Sequence, residues 1–398
     1  MTVKKILILV ENLPVPFDRR VWMEATTLTE AGYQVSVICP QGQYKKWHEK
    51  IDGIAIYRYP LPSLNGIVGH LLEYGLAIPI TFLLSIFVWW REGIDAIQSA
   101  NPPDFFFVIG LFFKLFGKKY VFDHHDLVPE TCLTRWTGIK LKLIYGLAYW
   151  AEQATYRTAD MLIATNQSYR DVAIKRGRVD PSRVFVVRSG PAKDKFQAVA
   201  PQLKLKKGAP FLVCYLGVMG PNDGLDYLLE AIYEVKNTLK RQDIHFTLIG
   251  SGDMLPAVKK MAHDLAIDDV VEFTGRIPDK EVIAYLSTAD VCVAPDPLDP
   301  LNNVSTMNKI MEYMAIGKPI VAFDLKETRY SADSAAVYAT PNNTHEFGKL
   351  IVKLLNDAQK RAEMGQRGQV RFNSELAWDF QKNNLVQAYQ RLFLNFNL

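Results

Sequence analysis

The sequence predicts an α/β protein of two successive domains, each an open parallel sheet covered by helices. Three observations carry this: short apolar runs alternate with helix-period stretches, the alternation restarts once near the middle, and 398 residues suit two domains of about 100–200 each. Apolar residues make up 49% and charged residues 22%. Both values are near the averages of about 45–50% and 25%, which excludes bulk disorder and fibrous repeats.

In the front half the strand candidates are 5–10, 34–39, 54–57, 96–98, 119–122, 161–164 and 184–187, with helical patterns between most of them. The back half restarts at 211–216 and continues with 245–249, 270–273, 291–294, 319–323 and 336–338. Between them RSGPAKDKFQAVAPQLKLKKGAP has no period and is rich in Pro, Gly and Lys, so it reads as a boundary. The expected organisation is residues 1–190 as a first Rossmann-like domain, 191–208 as linker, 209–375 as a second Rossmann-like domain, and 376–398 as a helix returning to the front domain. Open α/β sheets bind ligands beyond the carboxyl ends of their strands, so two such sheets predict a site in a cleft between facing domains.

Residues 1–190 hold 22 Lys+Arg against 17 Asp+Glu and the remainder 24 against 25, so the front is +5 and the back −1. That asymmetry is too mild to argue for nucleic acid but suits an anionic surface. Cys39, Cys132, Cys214 and Cys292 lie far apart with no CxxC spacing, signalling neither a zinc site nor a disulfide framework. A reducing, cytoplasmic setting is expected. The first apolar run, 6–10, is short for a signal-peptide core and reads as a buried strand.

Residues 291–323, VCVAPDPLDPLNNVSTMNKIMEYMAIGKPIVAF, predict strand, loop, helix, Gly317 stop and strand. Ser305 or Thr306 is the expected N-cap, and the amides near Thr306, Met307 and Asn308 would face a phosphate. Glu312 lies further along the helix, placed either to reach a diol beside that phosphate or simply to be solvated.

With these residues the chain resembles the retaining family-4 glycosyltransferases of the GT-B fold. EYMAIGKPIVA is similar to the end of that family's E-x7-E signature. YLGVMGPNDGLDYLLEA, VEFTGRIP, AEQATYRTADMLIATN and FDHHDLVPE fall in the family's order. A branch with a DRRV loop and an NK-x-x-EYMA helix is similar. The resemblance implies sugar transfer from a nucleotide diphosphate sugar with retention and without a bound metal. It assigns Glu312 to the ribose hydroxyls, Arg276 to the region where the base stacks, and His125 to the donor sugar. The proton of the acceptor would go to the leaving phosphate oxygen, so no metal and no other cofactor is expected. Asp296 and Asp299 in DPLDP lack the DxD spacing of a metal motif.

The chain also departs from the family. Val304 stands where the first Glu is expected, and Val218 and Asp223 where a diphosphate-binding Arg and Lys are expected. A leaving diphosphate needs compensating charge. The candidate replacements are Lys309 first, beside the phosphate-facing turn, then Lys326, Arg329 and Arg19. These same losses motivate two alternatives, a catalytically silent GT-B subunit regulating a partner transferase and a GT-B nucleotide-sugar epimerase.

Residues 74–90, YGLAIPITFLLSIFVWW, form an uncharged run of 17 residues, close to the lower limit for a bilayer of about 30 Å. Pro79 is expected to interrupt it, and with lysines 118, 119, 140 and 142 it reads either as core or as a peripheral contact with an anionic membrane. The expected function is therefore a retaining glycosyltransferase of surface or exopolysaccharide biosynthesis. It would act on a glycan or lipid-linked acceptor at the cytoplasmic face, with no nucleic-acid partner.

Overall fold

The computed structural model describes residues 3–62, 66–135 and 138–394. The chain divides into two compact units, Met1–Arg188 with Gln381–Leu398, and Ser189–Phe380.

Unit 1 contains β1 (Lys5–Leu9), β2 (Gln34–Pro40), β3 (His48–Ile51), β4 (Ile54–Tyr59), β5 (Ala96–Ala100), β6 (Lys119–His124), β7 (Met161–Ala164) and β8 (Val184–Val186). They form one sheet in the order β3-β4-β2-β1-β5-β6-β7-β8. Every pairing is parallel except β3 with β4. Runs such as KILIL are buried on both faces because helices cover both sides of a parallel sheet. Strand β3, HEKI, was not expected: it is polar and sits on the edge. It joins β4 through Asp52-Gly53, both at positive φ (47° and 84°), the backbone of a tight hairpin turn.

Four helices of this unit matter for function: α1 (Arg19–Glu30), α2 (Gly66–Arg91), α3 (Phe107–Lys114) and α4 (Gly138–Thr158). Helix α2 runs unbroken through Pro79, contrary to the expected interruption. Proline costs one amide and leaves the Gly75 carbonyl without its helical partner. Both residues lie on the exposed side, where that carbonyl can be solvated.

Unit 2 contains β9 (Phe211–Leu216), β10 (Ile244–Ile249), β11 (Val271–Gly275), β12 (Val291–Ala294), β13 (Ile320–Phe323) and β14 (Ala336–Ala339), in the order β11-β10-β9-β12-β13-β14, all parallel. One face packs on a core around Leu228, Leu229, Phe246 and Phe347, the other on a core around Leu286, Ile310, Tyr313 and Phe372. Helix α5 (Asn308–Ala315) belongs to the second. Residues 191–208, expected as linker, instead pack onto unit 2: Phe196 is in its core, and the Val199 and Gln202 amides donate to Ser287 and Thr288. One apolar anchor and two side-chain acceptors suffice to order a segment with no period of its own. Helix α6 (Trp378–Leu394) starts in unit 2 and continues into unit 1, where Tyr389 is buried and hydrogen-bonds Gln98.

In each sheet the strand order reverses about one strand, β1 in unit 1 and β9 in unit 2. The segments leaving the carboxyl ends of the strands at those points are where an α/β sheet places its ligands.

Candidate functional site

In unit 2 the reversal point brings together the segments after β9 and β12. Strand β9 continues into Gly217, where a Cβ would lie 2.6 Å from Tyr215 Oη and 3.2 Å from Lys309 Cε, so a larger residue there would have to displace both side chains. Strand β12 leads to Asp296, whose Oδ1 receives a 2.7 Å hydrogen bond from Lys309 Nζ. The ammonium also lies 4.9 Å from the Tyr215 ring centroid. Tyr313, on the same helix as Lys309, ties the two strand ends together: its hydroxyl accepts from the Leu216 amide at 2.8 Å and donates to the Val293 carbonyl at 3.1 Å.

Lys309 is 7% exposed and Asp296 2%. Burial works against the ammonium, but Asp296, Tyr215 and Asp223 outweigh it and hold the Lys309 pKa above the ordinary lysine value. This corrects the expectation of an open cation, because Lys309 reaches the reversal point as half of a buried ion pair. The other Asp296 oxygen, Oδ2, is buried with no hydrogen-bond partner among the described residues.

The remaining candidates of this unit are placed differently. Helix α5 starts at Asn308 with Met307 at its N-cap, not at Ser305 or Thr306 as expected. Residues 302–304 form a 3-10 turn first, and Ser305 Oγ is used on the Leu301 carbonyl at 2.8 Å. Glu312 is half-buried, one turn beyond Asn308 on α5. Arg329 is corrected as a phosphate ligand: its guanidinium closes on Asp324 with two 2.6 Å bonds and stacks over Tyr338. Lys326 opens the next helix, exposed, with its amide bonded to Asn303. Arg276 is exposed after β11. Asp223 caps its own loop by accepting from the Gly220 amide at 2.9 Å, while Val218 is exposed.

In unit 1 the carboxyl end of β6 and the first turns of α1 form a buried charged cluster. Arg20 donates from Nε to His125 Nε2, from Nη1 to the Val187 carbonyl and from Nη2 to Asp123 Oδ1, each at 2.9 Å. It also pairs with Glu24 at 3.0 Å. Asp123 Oδ2 lies 2.6 Å from His125 Nε2, and Gln98 donates to both carboxylates. Arg20, not the expected Arg19, is the arginine of this site, because it shares the buried stripe of α1 with Glu24 one turn later. His124 faces the other way, stacked on Phe122 and fully buried. Burial, then the charges of Arg176 and His125, push its pKa down to about 3.

The two carboxyls are driven apart. Burial and the neighbouring Asp123 raise Glu24, whereas for Asp123 the attraction of Arg20 and His125 overcomes burial and holds its pKa below the usual range. Glu24, Asp123 and His125 offer ligand atoms within 4.8 Å of one another. A guanidinium already bonded to all three makes this a poor cradle for a divalent ion. Glu11, two residues beyond the carboxyl end of β1, is 5% exposed; burial, then Glu73, push its carboxyl up to about 7. Neither Glu11, Glu24 nor Asp296 was expected as a site residue.

Comparison with known proteins matches residues 18–190 to the glycosyl transferase 4-like domain and residues 210–357 to glycosyl transferases group 1. The alpha-D-kanosaminyltransferase of Streptomyces kanamyceticus is 23% identical over 267 residues, 65% of this chain and 64% of that protein. A GDP-mannose-dependent monoacylated alpha-(1-6)-phosphatidylinositol monomannoside mannosyltransferase of Corynebacterium glutamicum is 27% identical over 217 residues, 53% of this chain and 55% of that protein. The chain thus spans less than two thirds of either relative's length. In fold it is similar to sucrose-phosphate synthase from Thermosynechococcus elongatus, with a TM-score of 0.80, 17% identity, and coverage of 98% of this chain and 100% of that one. Anabaena HepE in complex with UDP and glucose follows at a TM-score of 0.72 and 16% identity, covering 97% and 99%. The two α/β domains with parallel sheets are those of the GT-B fold expected from the sequence.

Proposed function

We propose a sugar-transfer function for this chain, whose front domain belongs to the glycosyl transferase 4-like family and whose back domain belongs to glycosyl transferases group 1. The donor is a nucleotide diphosphate sugar, the anomeric configuration is retained, and the acceptor is a glycan or a lipid-linked glycan of surface or exopolysaccharide assembly. The observation that carries this reading is the unit 2 reversal point, where Gly217, the Lys309–Asp296 pair and the start of α5 stand at the carboxyl ends of β9 and β12. Two solved neighbours of the same fold support the donor class, HepE in complex with UDP and glucose and with UDP-glucose. A lipid acceptor is supported by the name of the Corynebacterium relative.

In this reading Glu312 accepts from the ribose diol, and the diphosphate is met by backbone amides at residues 306–308. Lys309 supplies cationic charge only as far as Asp296 leaves it uncompensated. Arg276 lies near the base, and His125, held by Arg20 and Asp123, acts on the donor sugar. Lys326 and Arg19 remain secondary candidates for the phosphates. The acceptor hydroxyl loses its proton to the leaving phosphate oxygen as the new glycosidic bond forms and the sugar–phosphate bond breaks. No metal enters any step. A panel of nucleotide diphosphate sugars tested for thermal stabilisation identifies the donor, since a ligand at about 100 times its Kd adds roughly 2.7 kcal/mol. Nucleotide diphosphate release that needs no acceptor and returns an isomerised sugar would replace transfer by epimerisation. Absence of both release and binding would leave a silent subunit.

A further inference from the structure

We propose that unit 1 carries a docking site for an anionic phospholipid bilayer, built from the outer faces of α2, α3 and α4 and a basic recess at the carboxyl ends of α3 and α4. Helix α2 carries its apolar residues on the wrong side for a core helix. Ala77, Thr81, Ser85 and Val88 are its buried stripe, small and partly polar. Leu72, Leu76, Leu83, Ile86 and Trp90 are exposed at a spacing of three, four or seven residues, with Leu83 at 65% and Trp90 at 83%. That spacing puts them on one face. Residues 72–91 are long and apolar enough to cross a membrane, yet only 22% of the stretch is buried. Spanning is excluded by the other face, which packs on the sheet: Phe87 lies 6.1 Å from Tyr57 of β4. A helix fixed to a sheet along one side can only lie flat on a lipid surface.

The exposed face continues onto its neighbours. Phe82 and Trp89 of α2 meet Phe112 and Phe116 on and just after α3, at 4.9 and 5.0 Å, and Phe107 of α3 meets Trp150 of α4 at 5.7 Å. Leu111 and Leu115 on the α3 side and Leu143 and Trp150 on α4 are exposed as well. Lys118 leans over the Trp89 ring at 5.8 Å. Tryptophans flanked by lysines mark an apolar surface that meets headgroups. The Lys140 side chain, expected to contribute, lies outside the described residues.

Where α3 and α4 end, a recess of about 350 Å³ is lined by Lys114, Lys119, Arg157, Arg183 and Arg391 against Asp160. Lys114 and Arg183 are held in place by backbone carbonyls, Lys114 on Thr158 and Arg183 on Asp160. Arg157 and Arg391 are exposed. Five cations facing one carboxylate suit a phosphate headgroup. The recess opens where β6, β7 and β8 begin, the edge opposite His125, so it is separate from the transfer site and independent of that reading. A two-fold interface centred on the recess would set the same cations against each other.

The test is flotation of the full-length protein with phosphatidylcholine vesicles, with and without phosphatidylglycerol, beside circular-dichroism melts. Wild type is expected to float with phosphatidylglycerol at low salt, not with phosphatidylcholine alone, and millimolar inorganic phosphate should not displace it. Arg157→Gln with Arg391→Gln should weaken binding roughly 25-fold, the loss expected for two cations near an anionic surface. Leu76→Asp with Leu83→Asp should abolish it with the melt unchanged; if that pair melts early, the arginine pair decides. Protein that stays unbound on phosphatidylglycerol at low salt overturns the proposal. So does complete displacement by phosphate, which would leave a free-anion site, or a leucine pair that turns a dimer into a monomer without vesicles. Nucleotide binding measured on the same variants should be unchanged, so a failed transfer assay and a failed flotation are told apart.

Discussion

Lys309 Nζ and Asp296 Oδ1 lie 2.7 Å apart in the interior of unit 2, joining the helix that carries Glu312 to the segment leaving β12. The pair is closer to a tether than to a free charge. Removing one partner leaves a buried ion uncompensated, which costs about 3–5 kcal/mol. Asp296→Asn and Lys309→Met should each show that loss in urea melts, and the double replacement Lys309→Met with Asp296→Leu should recover most of it. The Lys309 pKa is raised, so the stabilisation is complete below the ordinary lysine value and disappears only above it. The effect should be flat between about pH 6 and 9, and a double variant as unstable as the singles would refute the tether.

Glu312→Gln should weaken binding of the free nucleotide diphosphate by about 1.5–3 kcal/mol, the worth of a hydrogen bond to a charged acceptor. Titration calorimetry reads this directly. Unchanged affinity would remove the ribose from Glu312 and leave it a helix-surface residue.

Glu11 makes a pH prediction whose sign follows from its raised pKa. The folded protein keeps the proton between the ordinary value of 4.5 and about 7, so stability falls as pH rises through that window. Glu11→Gln should stabilise the protein at pH 8 by at most about 3 kcal/mol and make no difference at pH 4. Equal melting shifts at both values would show that the carboxyl is not held protonated.

His125→Ala should lower turnover by about 10²-fold or more while nucleotide affinity changes little. Asp123→Asn, which loosens the ring without removing it, should shift the pH profile of turnover as well as its height. Chelator should leave turnover intact, because Arg20 occupies the place between Glu24, Asp123 and His125 where an ion would sit. Activity lost with chelator and restored by a divalent ion would overturn the metal-free scheme.

The parallel strands were legible in the sequence because runs such as those at 5–9 and 211–216 are apolar on both faces, which an edge strand such as β3 is not. Its Asp-Gly turn was the available signal. Arg20 was separable from Arg19 by the 3.6-residue period, since Arg20 and Glu24 fall on the stripe that also buries Leu28. The neutralisation of Lys309 was not legible: its partner lies 13 residues away on another element, and only the fold brings them together. The continuity of α2 through Pro79 likewise depends on which face is exposed, which a uniformly apolar segment does not reveal.

The claim at the centre is transfer of a sugar from a nucleotide diphosphate donor, and the most direct measurement is incorporation of labelled sugar by purified protein. The donor found by thermal stabilisation would be supplied together with a membrane lipid extract and soluble glycans as acceptors. The account predicts saturable incorporation into a lipid or glycan fraction, one nucleotide diphosphate released per sugar, and a product with the donor's anomeric configuration. Nucleotide binding without any incorporation would contradict the transferase, and an inverted anomeric centre would contradict the mechanism.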